Sequence, residues 1–194
     1  MKYFCFLVIG ILVQTKSVAQ EKKWALDTNK SKISYAGNHV LHAWKGVNRK
    51  VKGILVIEDK SPEIKELALL TLVRDFNSKN SGRDAHAMEV LEALSYPEVR
   101  FYSKNFEKIK DSILIHGQMD FHGVVKNHTI TAYKEERNNQ LLLKGNFNIQ
   151  PTRYGIDLPS FMMVKMDDLL IFDFELVFNK GLIYKKNHKE LKDQ

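Results

Sequence analysis

The sequence predicts an all-β domain of about eight antiparallel strands with one short helix. Apolar and polar residues alternate with a period of two through most of the chain, short turn segments separate the alternating stretches, and one segment has helical spacing. Strands joined by short turns favour antiparallel neighbours, and a sheet of this size either splits into a sandwich or closes into a barrel. The period alone leaves open whether the interior is filled or hollow.

Residues 1–19 have the features of a cleavable signal peptide. Lys2 provides a positive start, and residues 4–13 form an apolar run that is too short to span a bilayer, which needs about 20 residues. The small residues Ser17 and Ala19 fit a cleavage site, so we expect an exported chain that begins at Gln20. A buried N-terminal helix or a retained anchor is the alternative. Cys5 precedes the apolar run, which argues against lipidation at the cleavage point.

The remaining chain fits a single domain at residues 20–183 and a solvated tail at residues 184–194. Cys5 is the only cysteine, so no disulfide framework is expected after cleavage. The formal net charge of +7 includes Lys2 and Lys16 of the leader, and the other lysines are interleaved with acidic residues. This scattered charge does not indicate nucleic-acid binding, but it could favour transient contact with an anionic membrane surface.

In chain order, the first predicted strands lie at residues 31–36, 51–58 and 66–74. Ile33 and Tyr35 alternate with polar residues in the first of these, whereas residues 66–74 are apolar on both faces and fit a buried strand or a helix. Residues 82–94 are the helical candidate, because Met88, Leu91 and Leu94 share one helical face. Tyr96 is expected to end this segment, since it precedes a proline.

The second half of the chain returns to a period of two. We predict a turn at residues 122–127, a long connection at residues 151–159, and strands at residues 99–104, 113–121, 128–134, 141–149 and 170–178. The large side chains at inward positions of these strands fit either a packed core or a pocket lining: Phe101, Phe121, Phe147, Phe172 and Phe174.

The motifs of catalysis and metal binding are missing from the sequence. The chain has no H-E-x-x-H, no G-x-S-x-G and no glycine-rich phosphate loop. His116, His122 and His128 recur at intervals of six, but no carboxylate ligand pattern accompanies them. We therefore expect no catalytic residues, no metal site and no cofactor.

Four motifs, spread over residues 24–179, resemble those of the YceI-like family of bacterial periplasmic proteins. They are WALD at 24–27 with KSKI at 30–33, VKG at 51–53, SGRDAH at 81–86 with YPEVRFYS at 96–103, and GQMDFHGVVK at 117–126. The resemblance implies an extended lipocalin-like antiparallel β-barrel, and it decides for a strand at residues 66–74. It also implies periplasmic localisation and a pocket for a polyisoprenoid lipid, with no reaction of its own.

The resemblance further implies the ligand class and the site. The expected ligand is a polyprenyl chain or a prenyl quinone. The five phenylalanines are expected to line its pocket, with Met162 and Met163 as an adaptable lip. Arg83 and Asp84 either meet a lipid head group at the pocket mouth or stabilise the start of the helix, and we favour the second interpretation.

Two other functions compete with the lipid carrier. A filled barrel could serve as an interaction or stress-protection module, with an exposed apolar patch that includes His42 and Trp44. A hydrolase, or a redox accessory linked to a metal or haem, would need a cluster of histidines or carboxylates in the barrel mouth. The sequence leaves the oligomeric state open, including a homodimer through an edge strand.

Overall fold

A computed structural model of the chain describes residues 21–58 and 63–180. The predicted signal peptide and C-terminal tail lie outside the described residues. Within them the chain forms one α-helix, α1 (Ser81–Val90), and twelve strands: β1 (Glu21–Leu26), β2 (Lys32–His39), β3 (His42–Asn48), β4 (Lys52–Glu58), β5 (Ile64–Leu72), β6 (Glu98–Ile109), β7 (Ser112–Phe121), β8 (Val124–Arg137), β9 (Gln140–Ile149), β10 (Ser160–Phe161), β11 (Val164–Lys165) and β12 (Leu170–Lys180).

Eight of these strands close into an antiparallel barrel in the order β1-β4-β5-β6-β7-β8-β9-β12. The barrel closes where β1 pairs with the end of β12, with Leu26 opposite Phe178 and Trp24 opposite Lys180. Closure leaves no unpaired strand edge in this ring. The predicted eight-stranded antiparallel barrel with one helix is therefore confirmed.

The strand β12 changes partners along its length. Its C-terminal end pairs with β1, whereas its first half pairs with β2, with Phe172 opposite Tyr35 and Glu175 opposite Lys32. The β2–β3 hairpin consequently continues the barrel wall beyond the point where β1 ends. A bridge between Val47 and Asn77 ties this hairpin to the segment before α1.

The two ends of the barrel differ in packing. At the end where β1 closes the ring, the interior is filled by side chains with no solvent exposure, among them Leu55, Leu141 and Phe178. We call this the packed end. At the opposite end, which the β2–β3 hairpin and α1 surround, phenylalanine rings such as Phe147 and Phe172 are only half-buried.

The helix is shorter than the predicted residues 82–94. Asn80 caps its start by accepting a hydrogen bond from the backbone N–H of Arg83 at 2.9 Å. It ends at Val90 because Glu92 adopts a left-handed φ of 43°, and the backbone N–H of Ala93 then donates to the carbonyl of Met88 at 2.9 Å. The helix therefore stops before Tyr96, and no helix in the described residues is long and apolar enough to cross a membrane.

Two further connections differ from the prediction. The turn expected at residues 122–127 is the dipeptide His122-Gly123, whose positive φ angles of 53° and 70° suit a two-residue hairpin. The strands β1, β3, β10 and β11 were not predicted. The last two form a small separate hairpin, in which Ser160 lies opposite Lys165.

Candidate functional site

A cavity of about 190 Å³ lies inside the barrel toward the end surrounded by α1 and the β2–β3 hairpin. Its walls are apolar and come from strands around the ring, because inward positions alternate along each strand. All five phenylalanines singled out in the sequence line it: Phe101, Phe121, Phe147, Phe172 and Phe174.

The phenylalanine rings are graded by depth. Phe101, Phe121 and Phe174 are buried, with at most 5% exposure, and form the deep part of the lining. Phe147 and Phe172 are half-buried and stack face to face, with ring centroids 4.9 Å apart and planes inclined by 4°. The stacked pair, on the adjacent strands β9 and β12, is therefore the more exposed part of the phenylalanine lining.

Three segments surround the mouth. The β2–β3 hairpin contributes Tyr35 and Trp44. The helix contributes Met88, and Leu91 follows at its C-cap. The connection between β9 and β12 contributes Met166. Sequence reasoning did not place these residues at the site. The alternation of Tyr35 with polar neighbours and the apolar face of the helix were visible signals, but neither shows which element covers the cavity.

Two glycines on the β2–β3 hairpin allow aromatic rings to pack closely against the opposite strand. A Cβ at Gly46 would lie 2.3 Å from a ring carbon of Tyr35, and one at Gly37 would lie 2.5 Å from the indole of Trp44. The absent side chains leave room for each ring to lie flat over the opposite strand. Burial raises the pKa of the Tyr35 phenol, and the Asp84 carboxylate raises it further.

Few polar side chains reach the cavity. Arg74, Asp84 and Arg100 are among its lining residues, and Asp84 lies in the first turn of α1. The carboxylate of Asp84 accepts the backbone N–H of Ser78 at 3.0 Å, so it holds the loop that precedes the helix. This contact agrees with the structural interpretation of Asp84. Contact of Asp84 with the polar end of a ligand stays the alternative prediction.

Met162 and Met163 lie at the tip of the β10–β11 hairpin and are 73% and 98% exposed. They are not among the residues that line the cavity, although Pro159 and Met166, which flank the hairpin, are. Their expected role as a lip that contacts the ligand stays a prediction.

His122 and His128, which the sequence places six residues apart, lie in separate environments. His122 faces a carboxylate oxygen of Glu92 at 3.0 Å, and its Nδ1 lies 3.2 Å from the carbonyl of Tyr154. His128 contacts the ring of Phe147 edge-on, with centroids 5.5 Å apart, and burial lowers its pKa. Residues 21–58 and 63–180 contain no group of three histidine, cysteine or acidic side chains placed to hold a metal ion.

Comparison with known proteins identifies relatives of the same architecture. The fold matches BcnA of Burkholderia cenocepacia with a TM-score of 0.71 and 15% identity, covering 78% of this chain and 98% of that one. A polyisoprenoid binding domain from Saccharophagus degradans, implicated in plant cell wall breakdown, matches with a TM-score of 0.64 and 13% identity over 81% of this chain and 98% of that domain.

The Campylobacter jejuni YCEI protein matches with a TM-score of 0.57 and 17% identity, over 94% of this chain and the whole of that one. No curated protein matches the sequence significantly. The model of the YceI-like domain matches residues 24–178, which include the barrel, the helix and the cavity-lining residues. The chain therefore belongs to the YceI-like family.

Proposed function

We propose that this protein is an exported, non-catalytic carrier that holds an isoprenoid-type lipid, a polyprenyl chain or a prenyl quinone, in its barrel. The observation that carries the proposal is the apolar cavity with its graded phenylalanine lining. An isoprenoid chain offers only apolar surface, and each buried methylene contributes roughly 0.8 kcal/mol. The polyisoprenoid binding domain of S. degradans, which shares the fold, supports the same ligand class.

Export to the periplasm forms part of the proposal. It is supported by Lys2, the apolar run at residues 4–13 and the small residues that precede Gln20. A carrier in this compartment would work where an apolar chain cannot cross water unaided.

The size of the cavity limits the ligand. Ligand pockets typically enclose about 300–1,000 Å³, and an engineered cavity of about 150 Å³ accommodates benzene. At about 190 Å³, the cavity has room for a short prenyl segment. A longer chain needs the half-buried rings of Phe147 and Phe172 to move, or it leaves its remainder outside the mouth.

The direct test is to express residues 20–194, purify the protein and analyse its organic-solvent extract by mass spectrometry. A stoichiometric lipid whose masses form an isoprenoid ladder is the expected result. Protein that is free of lipid and that also fails to take up added farnesol or a short-chain prenyl benzoquinone would refute the carrier.

A matched pair of substitutions on α1 tests the site. Ala87 lines the cavity, whereas Ala85 on the same helix is exposed. Ala87→Trp should fill the mouth and weaken farnesol binding about tenfold or more, because several buried methylene groups lose their place. Ala85→Trp adds the same side chain outside the cavity and should bind farnesol as the wild type does. Equal binding by both variants would place the ligand elsewhere.

A further inference from the structure

We propose that two adjacent hairpin tips form a docking surface for an anionic lipid bilayer. This tip surface consists of exposed apolar residues, with exposed fractions of 75% and 61% at Val40 and Leu41 and of 73%, 98% and 43% at Met162, Met163 and Val164. The first two residues form the turn between β2 and β3, and the other three lie in the β10–β11 hairpin. The inference rests on the proposed function only in taking the bilayer as the source or acceptor of the carried lipid.

The two tips are joined to each other. His39 accepts the backbone N–H of Leu41 at Nδ1, and its Nε2 donates to the carbonyl of Val164 at 3.0 Å. The backbone N–H of Asp167 donates to the carbonyl of Asn38, and the Asn38 amide donates to the Asp167 carboxylate at 2.7 Å. These bonds hold the apolar tips side by side as one surface.

The turn of the β10–β11 hairpin is unfavourable for the residues it contains. Met162 and Met163 have positive φ angles of 50° and 63°, a turn that asparagine and glycine form with less strain. The two side chains are also almost fully exposed, so they add little to the packing of the barrel. Folding stability therefore does not account for methionine here, whereas burial in a lipid interface would use its flexible apolar side chain.

The tip surface is continuous with the cavity. Pro159 and Met166 line the cavity and flank the β10–β11 hairpin, and Trp44 lines it from the β2–β3 hairpin. Both hairpins therefore contain or adjoin cavity-lining residues within a few positions of their tips. Docking of the tips on a bilayer would bring the mouth against lipid, so that an apolar chain could move between the two without entering water.

The charges beside the tips suit an anionic surface. Lys165 follows Met163 by two residues, Lys45 follows Leu41 by four, and both lysines are exposed. Each lysine is next to a cavity-lining residue in the chain: Lys45 follows Trp44, and Lys165 precedes Met166. Their exposure shows that both side chains face solvent. The nearby carboxylate of Asp167 already accepts the Asn38 amide, and each lysine near an anionic leaflet adds attraction.

The test measures sedimentation of the purified protein with vesicles of phosphatidylcholine, with and without phosphatidylglycerol. The double variant Met162→Asn, Met163→Gly supplies the residues that this turn prefers, so the hairpin should be at least as stable as in the wild type. We expect its partition onto phosphatidylglycerol vesicles to fall about tenfold or more, because two apolar side chains are removed from the interface. Leu41→Asp should act similarly, whereas Tyr133→Asp changes an equally exposed apolar residue away from the tips and should partition as the wild type does.

Lys45→Gln and Lys165→Gln should each lower partition about fivefold, with the effect lost at high salt. Farnesol uptake from water by Leu41→Asp, Lys45→Gln and Lys165→Gln should stay as in the wild type, because none of these residues lines the cavity. Failure of the wild type to take up farnesol would refute the carrier and not the docking surface. Unchanged partition of the methionine double variant would overturn the proposal. A second result would also overturn it. If sedimentation equilibrium showed a dimer that the same substitutions convert to a monomer, with no effect on vesicle binding, the tips would contact a second copy of the chain and not a bilayer.

Discussion

Replacing Phe172 with alanine should destabilise the protein less than replacing Phe178 with alanine, although both rings lie on β12. Phe178 has no exposure and is absent from the cavity lining, so it is surrounded by other side chains. Removing a ring from such a site costs about 3–5 kcal/mol in free energy of unfolding.

Phe172 is half-buried and faces the cavity on one side. Its ring contacts are the stack on Phe147 at 4.9 Å and weaker contacts with Tyr35 at 6.1 Å and Phe76 at 6.5 Å. An aromatic pair contributes about 0.5–1.5 kcal/mol, and partial burial adds about 1 kcal/mol more. We therefore expect Phe172→Ala to cost about 1.5–2.5 kcal/mol.

Urea denaturation of both variants measures this difference, provided that the transitions are two-state. A double-mutant cycle of Phe172→Ala with Phe147→Ala should give a coupling energy of about 0.5–1.5 kcal/mol, which isolates the stack from the rest of the site. Equal losses in free energy of unfolding for Phe172→Ala and Phe178→Ala would mean that both rings are packed on all sides by other side chains. The hollow-barrel reasoning would then fail.

Three further predictions concern the barrel around the cavity. Asn48 is fully buried, and its side-chain amide donates to the hydroxyl of Thr71. Asn48→Leu should therefore lower the free energy of unfolding by about 1–3 kcal/mol in urea titrations. No loss of stability would show that this contact is dispensable. Burial, and to a smaller extent the positive charge of Arg153, lower the pKa of His128, so the unfolded state binds more protons than the folded state. The free energy of unfolding should therefore fall as the pH is lowered from about 7 to 5. A similar fall in His128→Gln would assign the effect to other groups. A Cβ at Gly145 would lie 2.2 Å from a backbone carbonyl of β8, so Gly145→Ala should lower the melting temperature. Gly82→Ala, at the start of α1, should raise the melting temperature slightly. The reverse order would contradict the packing described here.

The barrel strands and the phenylalanine lining could be predicted because an antiparallel strand with one buried face carries a period of two. Phe101, Phe121 and Phe147 occupy inward positions, and the structure places all three on the cavity wall. Phe76 lies between β5 and α1, outside any alternating segment, so its contact with Phe172 depended on tertiary structure.

The local errors arise where a residue adopts a backbone conformation that its type disfavours. Glu92 takes the left-handed role that glycine usually fills at a helix C-terminus, so no glycine marked the end of α1. The β10–β11 turn contains Met162 and Met163 in place of asparagine and glycine, and the two strands are too short for alternation to identify.

The question of a filled or hollow interior depends on the partner change along β12. Phe172, Phe174 and Phe178 all point inward with the same period, so their sequence pattern is uniform. Phe178 lies opposite Leu26 of β1, where the ring is closed and packed, while Phe172 lies opposite Tyr35 of β2, where the hairpin extends the wall outward. The inward pattern therefore fixes which side chains face the interior, whereas the pairing of β12 decides how much space they must fill. Substitutions at one end should accordingly change stability most, and substitutions at the other should change binding most.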